Sequence, residues 1–91
     1  MNTYIVTCLD KKNSLKLRLS IRDLHLNHLK SLGSDLLIAG PLLDAKDNPK
    51  GSVLILNFKN REELNEFLNK DPYKKANLFE EIKVEKFRKV L

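Results

Sequence analysis

Residues 36–58 read LLIAGPLLDAKDNPKGSVLILNF, and this stretch decides the fold. Two apolar runs, Asp35 to Leu43 and Ser52 to Phe58, flank Asp44-Ala45-Lys46-Asp47-Asn48-Pro49-Lys50-Gly51. The flanked segment is dense in turn formers, so the whole predicts a β-hairpin. Gly40-Pro41 should end the first strand, because proline cannot donate to a central ladder. Neither Leu36-Leu37-Ile38-Ala39 nor Val53-Leu54-Ile55-Leu56 alternates apolar with polar residues. Strands that are apolar on both sides are buried on both sides.

Outward from the hairpin, the chain repeats one pattern twice. Thr3 to Leu9 reads as a strand and Asp10 to Asn13 as a polar turn. A helix follows from about Leu15 to Leu32, with Asn13 or Ser14 as N-cap and Gly33 as its stop. On the far side, Asn60-Arg61-Glu62-Glu63 has the form of a capping box. The helix it opens carries Leu64, Phe67 and Leu68 on one face and ends near Lys70. Asp71-Pro72-Tyr73 breaks the chain, and Phe79 to Leu91 reads as a last strand with Ile82 and Val84 in alternation.

The order βαββαβ predicts an α+β, ferredoxin-like sandwich: an antiparallel sheet with both helices on one face. The helices leave the other apolar face bare, and the simplest cover for it is a second copy packed sheet to sheet. A homodimer is therefore expected.

Composition narrows the classes. At 91 residues the chain is read as a single domain, 1–91. Hydrophobic residues make up 42% and charged residues 32%, ordinary for a globular protein. The eight residues Leu36 to Leu43 form the longest nearly apolar stretch, far short of a bilayer span of ~20, so no membrane partner is expected. Met1-Asn2-Thr3-Tyr4-Ile5 shows no signal-peptide pattern, which makes a cytoplasmic protein the default. A lone cysteine, Cys8, cannot make an internal disulfide or a metal cluster. It is expected to be a buried strand residue, and neither metal nor cofactor is expected.

The net charge of +5 invites a nucleic-acid reading. The charge is diffuse, however: residues 1–50 carry 8 basic and 5 acidic side chains, and residues 51–91 carry 9 and 7. RNA-recognition motifs share the βαββαβ order, but their third strand places aromatic rings after Lys/Arg-Gly to stack on bases. Here Lys50-Gly51 is followed by Ser52, Val53 and Leu54. No nucleic acid is expected as a partner.

The first helix holds the most informative anomaly. At about 100° per residue, Lys16, Ser20, Asp23, Asn27 and Lys30 form its solvent face. Opposite lies an apolar arc, with Leu17, Ile21 and Leu24 on one flank and Leu15, Leu19 and Leu26 on the other. Arg18, Arg22 and His25 sit near the middle of that arc. Burying unpaired charge is costly, so these groups must snorkel, pair with carboxylates, or line a pocket that receives an anion. His28 lies on a flank and reads as a packing or surface residue. Other polar contributors to a pocket would be Ser52, Asp71 and Tyr73, although Asp71-Pro72-Tyr73 could equally be a helix-terminating turn.

Five motifs, in order, resemble the YCII-related, or YciI-like, family of small dimeric α+β proteins. They are Tyr4-Ile5-Val6 with Asp10-Lys11; Arg18 to Leu26 as R-x-x-x-R-x-x-H-L; Ala39-Gly40-Pro41; Gly51-Ser52; and Asp71-Pro72-Tyr73. The resemblance implies a ferredoxin-like fold of the dimeric α+β barrel type, paired through its sheets. It also implies a site in which a histidine and an aspartate face each other, by position His25 and Asp71. The wider group includes muconolactone-isomerase-like enzymes and a dehydrochlorinase. The family's glycine before the last strand is Asn77 here, a residue that tolerates the left-handed conformation.

The expected function is a cofactor-free acid–base enzyme of isomerase or lyase type. His25 would shuttle a proton, since imidazole changes charge near neutral pH, and Asp71 would hold its tautomer. Arg18 and Arg22, with Ser52 and Tyr73, would bind a small carboxylate or enolisable substrate. The alternative is a non-catalytic module that binds a small anionic molecule, or a partner, in the same pocket. A serine-hydrolase reading lacks the G-x-S-x-G elbow.

Overall fold

In β1 (Asn2–Asp10), Tyr4, Val6 and Cys8 are buried while the residues between them are not, the period of two expected of a strand. The computed structural model describes residues 1–91. Asn13, at φ 59°, turns the chain into α1 (Leu15–Lys30). Gly33, at φ 56°, follows it in a short 3₁₀ turn, Gly33–Asp35.

The hairpin forms as read: β2 spans Leu36–Leu43, and β3 begins earlier than expected and spans Pro49–Phe58. Its loop is knotted by the Asp44 carboxylate, which accepts from the Lys46 and Asn48 amides at 2.8 and 3.0 Å. β2 runs through Gly40-Pro41, where the sequence suggested an end, and Pro41 pairs in register with Ser52. The sheet order β2-β3-β1-β4 explains this, because β2 is an edge strand where proline's missing donor is tolerated.

Asn60 caps α2 (Arg61–Asn69), its side-chain oxygen accepting from the Glu63 amide at 2.9 Å. Asp71 then caps α3 (Pro72–Lys75), a four-residue helix with Pro72 in its first turn. Asn77, at φ 60°, makes the left-handed turn into β4 (Phe79–Lys86). The last strand is shorter than read, ending at Lys86 in place of Leu91.

All three strand pairings are antiparallel. Tyr4, Val6, Cys8, Leu54 and Leu56 on one sheet face pack against Leu29 of α1 and Leu64 and Leu68 of α2. This is the α+β, ferredoxin-like sandwich that the sequence predicts. β1 and β3 approach closely at Gly51, where a Cβ would stand 2.3 Å from the Cys8 carbonyl oxygen. No helix of the chain is long and apolar enough to cross a membrane.

The other sheet face has no helix over it. By register it presents Ile5, Leu9, Ile38, Val53 and Ile55, and Ile38 is 59% exposed. Along β4 the same face carries Glu81, Lys83 and Glu85 opposite Leu9, Thr7 and Ile5. The bare apolar surface is thus confined to β1, β2 and β3, and the fourth strand is charged there.

Candidate functional site

The inward stripe of α1 is Arg18, His25 and Leu29, all buried. Arg18 and His25 are seven residues apart, two helical turns, so both project over the same patch of sheet. Arg22, expected beside them in the middle of the arc, is exposed and stands at the mouth of the pocket they form. The flanking leucines differ too: Leu17, Leu19 and Leu24 are exposed. Sequence angle alone set the buried arc too wide. The sheet and α3 touch a narrow stripe, and two of its positions are polar.

Arg18 is held from two strands at once. Its Nε–H donates to Asp10 Oδ2 at 2.6 Å, and Nη2 donates to Asp10 Oδ1 at 3.0 Å and to Ser52 Oγ at 2.9 Å. The bidentate fork expected to meet an incoming carboxylate is therefore spent on Asp10, at the end of β1. Both side chains of this ion pair are 5% exposed. Burial works against the guanidinium charge, but the hydrogen bond and charge of Asp10 override it and push the Arg18 pKa up. Asp10 was read from sequence as a turn residue. The signal for its role was present, since a buried arginine demands a carboxylate and Asp10 lies eight residues before it.

His25, which lines the pocket, meets the buried Asp71. Nδ1 lies 2.8 and 3.0 Å from the two Asp71 carboxylate oxygens. An ionised carboxylate can only accept, so Nδ1 carries hydrogen and Nε2 is left as the free position, with no hydrogen bond inside the chain. Asp71 is fixed in turn by α3, because its Oδ1 also accepts from the Tyr73 amide at 2.9 Å. Asp71 is thus both the turn residue and the histidine's partner, and the two readings describe one side chain.

Tyr73 fills the space between the two charged pairs. Its ring is stacked on His25 with centroids 3.9 Å apart, and the Arg18 guanidinium carbon lies 4.6 Å from the tyrosine centroid. Phe79 meets the same ring edge-on at 6.0 Å. Burial pushes the Tyr73 phenol up against the pull of Arg18 and Arg22, so it is neutral and a hydrogen-bond donor at neutral pH. His28 does what its flank position suggested. It stacks on Phe67 at 4.0 Å, with Nε2–H donating to the Phe67 carbonyl.

The pocket encloses about 160 Å³ between α1 and the β2–β3 arm. Its apolar walls include Leu26, Pro41, Pro49 and Leu54, and its polar lining is Arg18, Arg22, His25, Ser52 and Tyr73. Such a cavity can admit a small molecule, meet a negative charge at Arg22, and offer it the unpaired imidazole nitrogen. No three His, Cys, Asp or Glu side chains come together as a ligand set for a metal ion. Cys8 is buried, and desolvation followed by the Asp71 charge pushes its thiol up to about 12, which rules it out as a nucleophile at neutral pH.

A family model described as the YCII-related domain matches residues 2–88. Protein YciI of Escherichia coli O6:H1 is 35% identical over 95 residues, covering 96% of this chain and 97% of that protein. Among solved structures, the 5-chloro-2-hydroxyhydroquinone dehydrochlorinase of Burkholderia phenoliruptrix, in complex with 2,5-dihydroxybenzoquinone, is similar with a TM-score of 0.90. It is 28% identical, and the match covers 94% of this chain and 93% of that one. A NIPSNAP family protein from Agrobacterium tumefaciens is similar with a TM-score of 0.59 at 8% identity, covering 97% of this chain and 91% of that one, a likeness of fold alone.

Proposed function

The chain belongs to the YCII-related family, and from that premise we propose that it is a small acid–base enzyme of isomerase or lyase type. Its substrate is a small carboxylate or other enolisable molecule. The observation that carries this reading is the His25–Asp71 contact, which leaves imidazole Nε2 unpaired at the pocket. Nε2 takes a proton from a carbon beside a carbonyl, and the C–H electron pair passes into an enolate. Asp71 stabilises the imidazolium so formed. Arg22 at the mouth meets the negative charge, and Arg18, Ser52 and Tyr73 border the pocket. In isomerisation the proton returns at another carbon; in elimination the electron pair expels a leaving group. The dehydrochlorinase that shares the fold at 28% identity supports the second course.

The test is exchange of carbon-bound hydrogen for deuterium in a panel of small keto acids and phenolic ketones, followed by NMR. The wild-type protein should catalyse exchange in some members, and His25→Ala should lose it while remaining folded. Equal exchange by the two proteins would sink the reading. Stabilisation by a ligand that undergoes no exchange and no turnover would favour the alternative, a binding or interaction module using the same pocket.

The reading includes a cytoplasmic homodimer packed through the bare sheet face. Its support is the apolar surface of β1, β2 and β3, which no element of the chain covers. Light scattering at micromolar concentration tests it, and a monomeric mass would refute it.

A further inference from the structure

Of the two pocket arginines, one is already neutralised. Arg18 donates through Nε and Nη2 to Asp10, and through Nη2 again to Ser52, so its charge is matched before any ligand arrives. The pocket's other internal pair, His25 with Asp71, adds no spare cation. Arg22 differs from both. It lies one turn beyond Arg18, exposed at the mouth, and it enters none of the chain's ion pairs.

We infer that the pocket takes a compact monoanion with an apolar body, whose single charge is received by Arg22 alone, with Arg18 acting as a fixed brace. This deepens the proposed enzymatic reading by naming the substrate class, and it rests on the same pocket. A second negative charge on the ligand would meet no uncommitted cation among the residues that line the pocket. Burying such a charge unpaired is strongly unfavourable.

Size and lining set the body of the ligand. The cavity of about 160 Å³ is close to the ~150 Å³ apolar cavity that admits benzene. Leu26, Pro41, Pro49 and Leu54 make its walls apolar. The fit is therefore a six-membered ring or branched chain of similar bulk, carrying one carboxylate or enolate.

Calorimetric titration at neutral pH tests this with four probes: benzoate, its neutral isostere benzamide, meta-nitrobenzoate, and the size-matched dianion isophthalate. Benzoate and meta-nitrobenzoate should bind, with benzamide and isophthalate at least about tenfold weaker. Arg22→Gln, an exposed substitution that leaves the fold intact, should weaken benzoate by about tenfold or more, and Arg22→Lys should recover part of it. Isophthalate binding as tightly as meta-nitrobenzoate would overturn the inference. So would benzoate affinity unchanged in Arg22→Gln, or no binding by any monoanion. The enzymatic reading fails separately. Monoanions that bind by these rules, with no carbon acid exchanging its hydrogen, leave this inference standing and remove the enzyme. Exchange that ignores Arg22 does the reverse.

Discussion

Removing the Asp10 charge should be among the most damaging single changes this chain can suffer. Asp10→Asn keeps the shape of the side chain, but its amide N–H₂ would face the Arg18 guanidinium, where two oxygens now accept at 2.6 and 3.0 Å. Both side chains are 5% exposed, so water cannot replace the lost carboxylate. Stranding one partner of a buried ion pair costs about 3–5 kcal/mol. The total stability of a domain is about 5–15 kcal/mol, so the change consumes a large share of it. At about 4–8 °C per kcal/mol for a domain of this size, even the lower figure lowers the melting temperature by roughly 12–24 °C. The assay is urea unfolding followed by circular dichroism, with Arg18→Met and the Asp10→Asn/Arg18→Met double variant completing the cycle. The double variant should be more stable than Asp10→Asn alone, since it removes the stranded cation. The loss should also be nearly the same at low and high salt, because a buried pair is little screened. A cost below about 1 kcal/mol, or strict additivity in the cycle, would refute the account of Arg18 as an internally neutralised brace.

Three further outcomes follow from other contacts. The Cys8 thiol, raised from 9.0 to about 12, keeps in the folded state a proton that the unfolded chain gives up. Its contribution is whole below pH 9.0 and is lost as pH rises toward 12. Wild-type stability should therefore fall across the alkaline range more steeply than that of Cys8→Ala, by up to about 1.4 kcal/mol per pH unit, and parallel urea midpoints would refute this. Gly51→Ala would place a methyl carbon 2.3 Å from the Cys8 carbonyl oxygen, forcing β1 and β3 apart at a cost of about 1–3 kcal/mol. A melting temperature unchanged within about 2 °C would contradict that. Ile38→Lys puts a charge on the bare sheet face where Ile38 is 59% exposed. Analytical ultracentrifugation should show it shifted toward monomer, and a dimer as tight as wild type would remove that face from the interface.

Element order was legible because each element carries local chemistry of its own. Asn60 with Glu63 starts α2, and the density of Asp, Asn and Pro over residues 44–49 can only be a turn; Asp71-Pro72, read as a break, proves to open the short α3. The end of β2 was not legible, since whether proline stops a strand depends on whether that strand lies at an edge, a fact of the assembled sheet. At the site, periodicity found Arg18 and His25 on the inward side of α1. It could not separate them from Arg22, because a helical wheel gives an angle and no depth. Asp10 was missed for a related reason: its place at the end of β1 marks a turn, and only the demand of a buried Arg18 for a carboxylate points to its pairing.

The placement of Pro41 has a consequence for how this protein behaves when crowded. β2 is an outer strand with apolar side chains, and Leu37, Ile38 and Leu43 are all substantially exposed. Such an edge invites a neighbour's strand to add on, and then another, toward fibrils. Pro41, sixth of the eight residues of β2, has no amide N–H to offer, and the register shift between Leu36 and Ile38 bends the strand at its start. The residue that walls the pocket on one side therefore also blunts this edge of the sheet. Growth at the β2 edge is thereby discouraged, while the flat apolar face of β1, β2 and β3 stays open.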